Sequence, residues 1–351
     1  MKRILHVANF NLFRLKKCYL NSITLKINNG LIRHGYHVIT YPDRDLCRMF
    51  GFGHMNWFGR RKLQNHLIEF ARAMKPDAVI LGHADTVEQD TLFKLREIFP
   101  DVKILQYNVD RIVPGITDNN IAAINSKLDA VDATIITTAE RKLLDMFKRG
   151  GKFVGFFPNP VDDSIERENA YLHEKLPYDL MLCVDRSVRQ FCGKYVPCEE
   201  IIADIRKQIP DLKLLLAGID KHHLLEGAAY QDAHGTCAMG FNLSRINDVY
   251  LYTSDRLAHS VGNGQLAVLD DRTGYKDIFS DDEMCFFHTP EEMLEKIAFY
   301  HKNPQERMRV AKNGAEKYRR LFNEKVVGAY IADILFGEPT AEKYFWLGLD
   351  K

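Results

Sequence analysis

The feature of this 351-residue chain that most constrains its fold is a regular alternation of short apolar runs with amphipathic segments. Runs such as RILHVA at 3–8 and DAVILG at 77–82 are typical of buried strands. The segments at 18–34 and 60–74 repeat apolar residues every three or four positions, as helices do. Strands that recur through crossover helices predict a parallel sheet covered on both faces. The other elements predicted before residue 158 are strands at 37–41, 102–107, 133–137 and 153–157 and helices at 86–98, 119–128 and 140–148.

The alternation breaks at Pro158-Asn159-Pro160, and the polar stretch up to Pro177 has the composition of a linker. We therefore predict two Rossmann-like, doubly wound α/β domains at 1–160 and 161–322, with a helix and tail at 323–351 that pack back on the first domain. Ligands of such sheets bind outside the carboxyl ends of the strands, so we expect a cleft between the domains. The second set comprises strands at 178–184, 212–217, 237–243, 265–269 and 284–288 and helices at 199–208, 289–301 (with Thr289 as N-cap), 304–321 and 324–336.

Composition and the N-terminus indicate the compartment. The chain is 46% hydrophobic and 27% charged, as in soluble globular proteins. The apolar stretch Ile4–Ala8 is shorter than the roughly 7–15 residues of a signal-peptide core. The seven cysteines form no C-x-x-C pair, which favours reduced, mostly buried thiols. We expect a cytoplasmic protein, with a peripheral position at the inner face of the cell membrane as an alternative.

The net charge of +1 conceals an asymmetry between the two halves of the chain. Residues 1–160 hold 24 lysines and arginines against 15 acidic residues, whereas residues 161–351 hold 24 against 32. The overall balance gives no reason to expect a nucleic-acid partner. Basic residues interleaved with aromatic ones favour a membrane surface or an anionic acceptor, and a plain solvated basic face is the alternative. The residues concerned are Phe10, Leu12, Phe13, Arg14, Lys16, Lys17, Trp57, Phe58, Arg60, Arg61 and Lys62.

The common phosphate and metal motifs are missing or weak. Neither G-x-G-x-x-G nor G-x-x-x-x-G-K-[ST] occurs, which disfavours a nicotinamide or ATP enzyme. Asp43-Arg44-Asp45 is a D-x-D, which we interpret as a solvated turn after the second strand rather than a metal site. His222-His223 has no partner at metal-ligand spacing. We predict no metal and no cofactor.

The most informative stretch is GFNLSRINDVYLYTSDRLAHSVGNG at 240–264. It ends a strand with Asn242, Ser244 and Arg245 and opens a helix at Ser254-Asp255-Arg256. Ser254 can cap that helix while free N–H groups and Arg256 face a bound anion such as a nucleotide diphosphate. An ordinary cap with Arg256 paired to a carboxylate is the alternative.

This stretch, with the residues behind it, resembles the C-terminal domain of group-1 glycosyltransferases, and most of all the spore-maturation-type branch with the GT-B fold. The resemblance is specific over about 236–322 and only architectural before that. It implies transfer of a sugar from a nucleotide-activated donor, a substrate rather than a cofactor, to a glycan or other cell-surface polysaccharide or lipid-linked acceptor, without a metal. The residues in register are Asn242-Leu243-Ser244-Arg245, Arg256, Gly264, Tyr275, Asp277, Phe279, Glu291-Glu292-Met293, Arg309-Val310-Ala311 and Gly314, and 157–162 resembles the family's inter-domain segment.

The resemblance assigns donor binding to residues of the second domain and exposes one departure. The family has Glu three residues after the arginine, where this chain has His259. An imidazole can still hydrogen-bond a ribose hydroxyl, and a protonated one can meet phosphate, so retention and inversion both stay open. A helix residue that faces the core is the alternative for His259. The expected donor-binding residues are Asn242, Ser244, Arg245, Ser254, Arg256, His259 and Gly218.

Catalytic and acceptor-binding groups are expected at the ends of the N-terminal strands. His83 and Asp85 follow the third strand, and Asn108 and Asp110 follow the fourth. Inverting transfer needs a general base near the acceptor hydroxyl, and Asp110 or His83 can serve. The acceptor side would be lined by Asn9, Asn11, Asp85 and Asn108, for which helix caps and turn hydrogen bonds are the alternative roles.

Two other functions remain open on the sequence. One is a different sugar-nucleotide enzyme of the same two-domain shape, such as an epimerase. The other is a non-catalytic nucleotide-sugar-binding module, which the replacement of Glu by His259 favours. The sugar, the acceptor and the oligomeric state are not encoded in any motif.

Overall fold

The computed structural model describes residues 1–12, 22–51, 56–184 and 188–349. The chain divides into two compact units, unit 1 at 1–158 with 324–351 and unit 2 at 159–323. The boundaries expected from the sequence were 160 and 322. Both units are α/β, as predicted.

Unit 1 is built on a six-stranded parallel sheet with strand order β2-β1-β3-β4-β5-β6. Apolar side chains of its central strands, such as Leu5, Val7 and Val79, pack with Leu63 and Leu67 of a covering helix in one buried cluster. The strands are β1 Arg3–Ala8, β2 His37–Pro42, β3 Ala78–Gly82, β4 Lys103–Asn108, β5 Ala133–Ile136 and β6 Phe153–Phe156, and the helices are α1 Ile23–Arg33, α2 Asp43–Phe50, α3 Asn56–Met74, α4 Gln89–Ile98, α5 Asp118–Asn125 and α6 Arg141–Asp145.

Unit 2 has a five-stranded parallel sheet with strand order β10-β7-β11-β12-β13, and a separate antiparallel hairpin of β8 and β9. Thr289 caps α10 as expected, because its side chain accepts a hydrogen bond from the Glu292 N–H. The strands are β7 Tyr178–Cys183, β8 Val188–Phe191, β9 Lys194–Pro197, β10 Leu214–Ala217, β11 Cys237–Asn242, β12 Leu266–Asp270 and β13 Cys285–Phe287, and the helices are α7 Cys198–Gln208, α8 Ala228–Gly235, α9 Arg256–Gly262, α10 Pro290–Lys302 and α11 Pro304–Phe322.

The last helix, α12 at Glu324–Phe336, returns to unit 1 and packs on α1. The two backbones meet at Gly30 and Gly328, where a Cβ added to Gly30 would overlap the Glu324 carbonyl oxygen. Arg33 Nη1 also lies 2.5 Å from Glu324 Oε1. Small residues at the crossing therefore allow the close approach of these helices.

We expect Gly30→Ala to lower the free energy of unfolding of unit 1 by about 1–3 kcal/mol, the usual cost of overpacking. Alanine favours helix over glycine by about 1 kcal/mol, so a purely local effect would have the opposite sign. Urea unfolding followed by circular dichroism measures the change. Gly151→Ala is the matched control, because a Cβ there meets nothing within 4 Å. Equal stability of the two variants would refute the packing argument.

Several elements differ from the sequence-based predictions. The helix expected at 18–34 begins at Ile23, and residues 18–21 lie outside the described part. The hairpin β8–β9 and helices α2 and α8 were not predicted. The basic residues Arg14, Lys16 and Lys17 also fall outside the described part. No helix among the described residues is long and apolar enough to span a membrane.

The interpretation of Asp43-Arg44-Asp45 as a solvated turn is wrong. Asp43 and Asp45 open α2, and both side chains are fully buried. Asp45 Oδ2 accepts a hydrogen bond from the Leu12 N–H at 2.5 Å, and Asp43 Oδ2 accepts one from Thr86 Oγ1 at 2.5 Å. The two carboxylates are buried because donors from the loops after β1 and β3 come to them, which the local sequence does not reveal.

Candidate functional site

The register of the sheet in unit 1 brings the predicted residues to one edge. Ala8, the last residue of β1, pairs with Pro42 of β2 and with Gly82 of β3. The next residue on each chain segment is Asn9, Asp43 and His83, respectively. Gly82 pairs with Tyr107, so Asn108 of β4 continues the same row. Four adjacent strands thus present polar side chains at their carboxyl ends.

His83 is fixed by a hydrogen-bond chain that sets its tautomer. The Asp110 N–H donates to Asn108 Oδ1 at 2.8 Å, so the amide Nδ2 of Asn108 faces His83 Nδ1, at 3.3 Å. Because Nδ2 donates, Nδ1 must accept, and the neutral imidazole then carries its proton on Nε2. Burial lowers the pKa of His83 from its ordinary value, although the Asp110 carboxylate opposes this. Neutral His83 can therefore donate a hydrogen bond but has no free basic nitrogen at Nε2.

Asp110 lies at the solvent-exposed end of this series of hydrogen bonds. Its side chain is 59% exposed, and Oδ2 lies 3.8 Å from His83 Nδ1. Asp85 is held differently, since Arg44 Nε donates to its Oδ1 at 2.8 Å. Partial burial acts to raise the pKa of Asp85, but the Arg44 guanidinium outweighs it and holds that pKa below the usual value. Both carboxylates are exposed, but Asp85 is engaged by Arg44, whereas Asp110 lies within 4 Å of His83.

The loop after β1 contributes two asparagines. Asn11 is 6% exposed and has a left-handed backbone with φ of 51°. His83, at the end of β3, also has a left-handed φ, of 59°. Backbone conformations of this kind cost free energy in residues other than glycine and cluster at functional sites. Both strand ends are therefore held in conformations that the rest of unit 1 must enforce.

In unit 2, the predicted donor site centres on Asn242. This last residue of β11 is 1% exposed, and neither its Nδ2 nor its Oδ1 has a hydrogen-bond partner within the described chain. Arg256, at the start of α9, donates from Nη2 to the Leu243 carbonyl at 3.2 Å. The Nε atom of Arg256 is buried and has no partner among the described residues. An amide and a guanidinium with unused hydrogen-bonding atoms thus lie beside the same strand end.

Ser244 and Ser254 link the strand end to the helix, and the predicted cap is wrong. The Ser254 N–H donates to Ser244 Oγ at 3.0 Å. The N-cap of α9 is Asp255, whose side chain makes no capping hydrogen bond. Ser254 is already held by Ser244, so its hydroxyl does not take the capping position. The two serines stabilise the loop that carries Arg256.

Two other predicted donor residues have structural contacts. Gly218 has a left-handed φ of 78°, and a Cβ there would overlap the Val184 carbonyl. Only glycine fits this approach of the β10 and β7 ends. The Arg245 carbonyl accepts a hydrogen bond from the Gln190 N–H at 3.3 Å. Gln190 and Asn247 also bond to each other, so the unpredicted hairpin β8–β9 is attached to the donor loop.

His259 lies inside unit 2, paired with a carboxylate that the sequence did not single out. It is 3% exposed, and its Nδ1 lies 2.7 Å from Glu166 Oε1. Glu166 Oε2 accepts a hydrogen bond from the Asp162 N–H at 2.7 Å. Glu166 lies 93 residues before His259 in a polar stretch, where no spacing rule would pair the two. The structure thus places a buried carboxylate beside the position at which the resemblance expects one on α9.

A metal site does not arise from the side chains that are described. Among them, no group of three or more histidine, cysteine, aspartate or glutamate residues is arranged to hold a metal ion.

Comparison with known proteins agrees with this architecture. A family model described as glycosyl transferase-like matches residues 189–331. Sucrose-phosphate synthase from Thermosynechococcus elongatus is similar over 95% of this chain and 98% of its own, with a TM-score of 0.67 and 11% identity. No curated protein matches the chain.

Two further solved structures are similar over nearly their whole length. Anabaena HepE in complex with UDP and glucose has a TM-score of 0.60 and 12% identity, covering 95% of this chain and 99% of that one. A UDP-forming trehalose-phosphate synthase from Burkholderia xenovorans has a TM-score of 0.57 and 12% identity, covering 97% and 100%. At these identities the likeness establishes the fold. The chain therefore has the α/β fold of these three structures, and its residues 189–331 match a glycosyl transferase-like family model.

Proposed function

We propose that unit 2 binds the nucleotide diphosphate of the sugar donor through Asn242 and Arg256, and that the carboxyl edge of the sheet in unit 1 binds the acceptor. The observation that carries the donor site is the fully buried Asn242 amide with no partner in the described chain. Native proteins rarely leave such groups unsatisfied, because each one costs about 1–3 kcal/mol. A ligand that both donates and accepts hydrogen bonds at this point would remove that cost.

Arg256 supplies the charge that the leaving group requires. Negative charge develops on the diphosphate as the glycosidic bond breaks, and a fixed guanidinium stabilises that charge without reorganisation. Arg245 lies on the same loop, after Ser244, and would add to this effect. The proposed scheme works by positioning and charge neutralisation and requires neither a metal nor a cofactor.

In unit 1, we assign Asp110 as the general base and His83 as a hydrogen-bond donor. The tautomer set by Asn108 leaves a proton on His83 Nε2, so this nitrogen cannot accept another. The exposed Asp110 carboxylate can accept the proton of an acceptor hydroxyl. This role for Asp110 corresponds to an inverting transfer.

The charge of the N-terminal half bears on the acceptor. Residues 1–160 have nine more basic than acidic residues. Met49 at the end of α2 is 56% exposed and Phe58 near the start of α3 is 39% exposed, with Lys62 Nζ 4.7 Å from the Phe58 ring. Exposed apolar side chains beside cations suit the interface of an anionic membrane. We therefore propose an anionic or membrane-borne glycan acceptor and a peripheral position of the protein at the membrane.

We expect nucleotide binding to raise the melting temperature of unit 2. Ligand at 100 times its Kd stabilises the folded state by about 2.7 kcal/mol. A thermal-shift panel of UDP, GDP, CMP and ADP sugars measures this, and UDP sugars are the first choice because HepE was solved with UDP and glucose. Asn242→Ala should abolish the shift. Asn313→Ala, at a half-buried asparagine of α11 bonded to the Asp282 carbonyl, should keep it.

The same panel separates the alternatives. Binding that is followed by neither hydrolysis nor transfer would indicate a non-catalytic nucleotide-sugar module, which His259 in place of the expected Glu favours. Conversion of the donor sugar without any acceptor would indicate an epimerase-like enzyme. A full shift in Asn242→Ala would refute the proposed donor site.

A further inference from the structure

The carboxyl edge of unit 1 contains two buried oxygen atoms with no donor. Asn9 Oδ1 and Asp43 Oδ1 both lack a hydrogen-bond partner within the described residues. They follow Ala8 and Pro42, which pair directly across β1 and β2, so the two residues extend the ends of neighbouring strands. Asp43 is fully buried. Two acceptors with no donor among the described residues thus follow the ends of neighbouring strands, in the row that also contains His83.

The surroundings hold these side chains in place. Thr86, from the loop after β3, binds the other oxygen of the Asp43 carboxylate at 2.5 Å. Asp45 lies two residues further along α2. It accepts a hydrogen bond from the Leu12 N–H at 2.5 Å and so ties the loop after β1 to the same helix. The loops after β1 and β3 therefore converge on the start of α2, and Asp43 cannot turn its other oxygen elsewhere without losing Thr86.

The chemistry of the two atoms limits what can bind there. With Asp43 ionised both atoms only accept, so a phosphate or carboxylate group placed against them would meet oxygen with oxygen. Burial raises the pKa of Asp43, although the Thr86 hydrogen bond opposes this. A hydroxyl group fits in either protonation state of Asp43, because it can donate and accept. A sugar offers two such groups on neighbouring carbons.

We infer that Asn9 and Asp43 form a hydroxyl-binding subsite for the acceptor, which takes the uncharged polyol face of a sugar. This inference rests on the proposed function and deepens it. The subsite binds hydroxyl groups, and any anionic group of the acceptor lies outside it; Arg61 and Lys62 are exposed basic residues of the same unit. Asn9 and Asp43 are positioning residues, and the proton transfer is left to Asp110.

The test measures binding of D-glucose, D-mannose and D-galactose to the full-length protein by saturation-transfer NMR, with inorganic phosphate as the anionic probe. We expect at least one sugar to bind the wild type, and Asp43→Ala and Asn9→Ala each to weaken it about tenfold or more. Asp43→Asn should retain part of the affinity, because an amide can still bond to a hydroxyl. Asp132→Ala is the control for general stability, because Asp132 pairs with Arg96 and the Ile104 N–H at the amino-terminal edge of the same sheet.

The outcomes distinguish this subsite from the donor site. The UDP-sugar thermal shift should be unchanged in every one of these variants, because Asn242 and Arg256 belong to unit 2. Failure of all three sugars to bind the wild type, or equal binding in wild type and both alanine variants, would overturn the subsite while leaving the donor site standing. Phosphate competing with the sugar at this position would also overturn it.

If Asp43→Ala does not fold, Asn9→Ala decides the question alone, since Asn9 lies in a loop. A crystal structure with only an ordered water between the two oxygens at saturating sugar would count against it.

Discussion

Replacing Arg256 by alanine should lower kcat/KM for transfer by about 10²–10³-fold or more, the usual effect of removing one donor that stabilises developing negative charge. The loss should leave the fold intact. The Arg256 guanidinium donates one hydrogen bond from Nη2 to the Leu243 carbonyl, and its Nε atom makes none within the described chain. Steady-state kinetics with the donor found in the thermal-shift panel measures the change.

Two controls make this result specific. Arg256→Lys keeps a positive charge but loses the planar fork, so it should retain more activity than alanine. Arg309→Ala removes an exposed arginine of α11 that pairs with Glu306 and Asp282, and should leave turnover near the wild-type rate. Activity at the wild-type level in Arg256→Ala would show that this residue has no part in the donor site.

The second large effect is expected from His259→Glu, which introduces the residue that the resemblance leads us to expect at this position. The new carboxylate would occupy the buried space in which His259 Nδ1 now lies 2.7 Å from Glu166 Oε1. Breaking a buried pair and leaving an uncompensated charge costs about 3–5 kcal/mol. We therefore expect the free energy of unfolding of unit 2 to fall by about that amount, visible by calorimetry as a lower melting temperature.

A second substitution tests the cause. Adding Glu166→Gln to His259→Glu supplies an amide donor to the new carboxylate and should recover part of the lost stability. His259→Gln alone, which keeps a neutral hydrogen-bonding side chain, should cost less than His259→Glu. An unchanged melting temperature in His259→Glu would mean that Glu166 and the new side chain do not share one buried site.

Much of the architecture followed from periodicity in the sequence. β-Branched runs such as 77–82 and 133–137 predicted strands that the structure contains at 78–82 and 133–136. The hairpin β8–β9 was missed because its eight strand residues include the buried Arg189 and Gln190, which do not follow an apolar pattern. Arg189 is nearly inaccessible to solvent, an unusual position for arginine. Its burial depends on partners that are distant in sequence.

Some residues of the candidate site could likewise be predicted from the sequence, and others could not. Asn9, His83, Asn108 and Asp110 were predicted because each follows a strand, and parallel strands end at one edge. Asp43 was interpreted as a solvated turn residue because nothing in D-x-D shows that Thr86 will cover one of its oxygens. Ser254 was predicted as a cap because of its residue type, but Ser244 competes for it. A hydrogen bond between separate loops leaves no pattern in either loop.

The sequence by itself determined the strand and helix pattern, the parallel α/β class and the family resemblance of residues 236–322, because these depend on local spacing. The sequence also shows that the net charge of +1 is a balance between a basic half and an acidic half of the chain. Only the tertiary structure decided that His259 meets Glu166 and that Asn242 and Asp43 are buried with unused atoms. The physical reason is that pairing across 93 residues depends on how the backbone folds around each side chain.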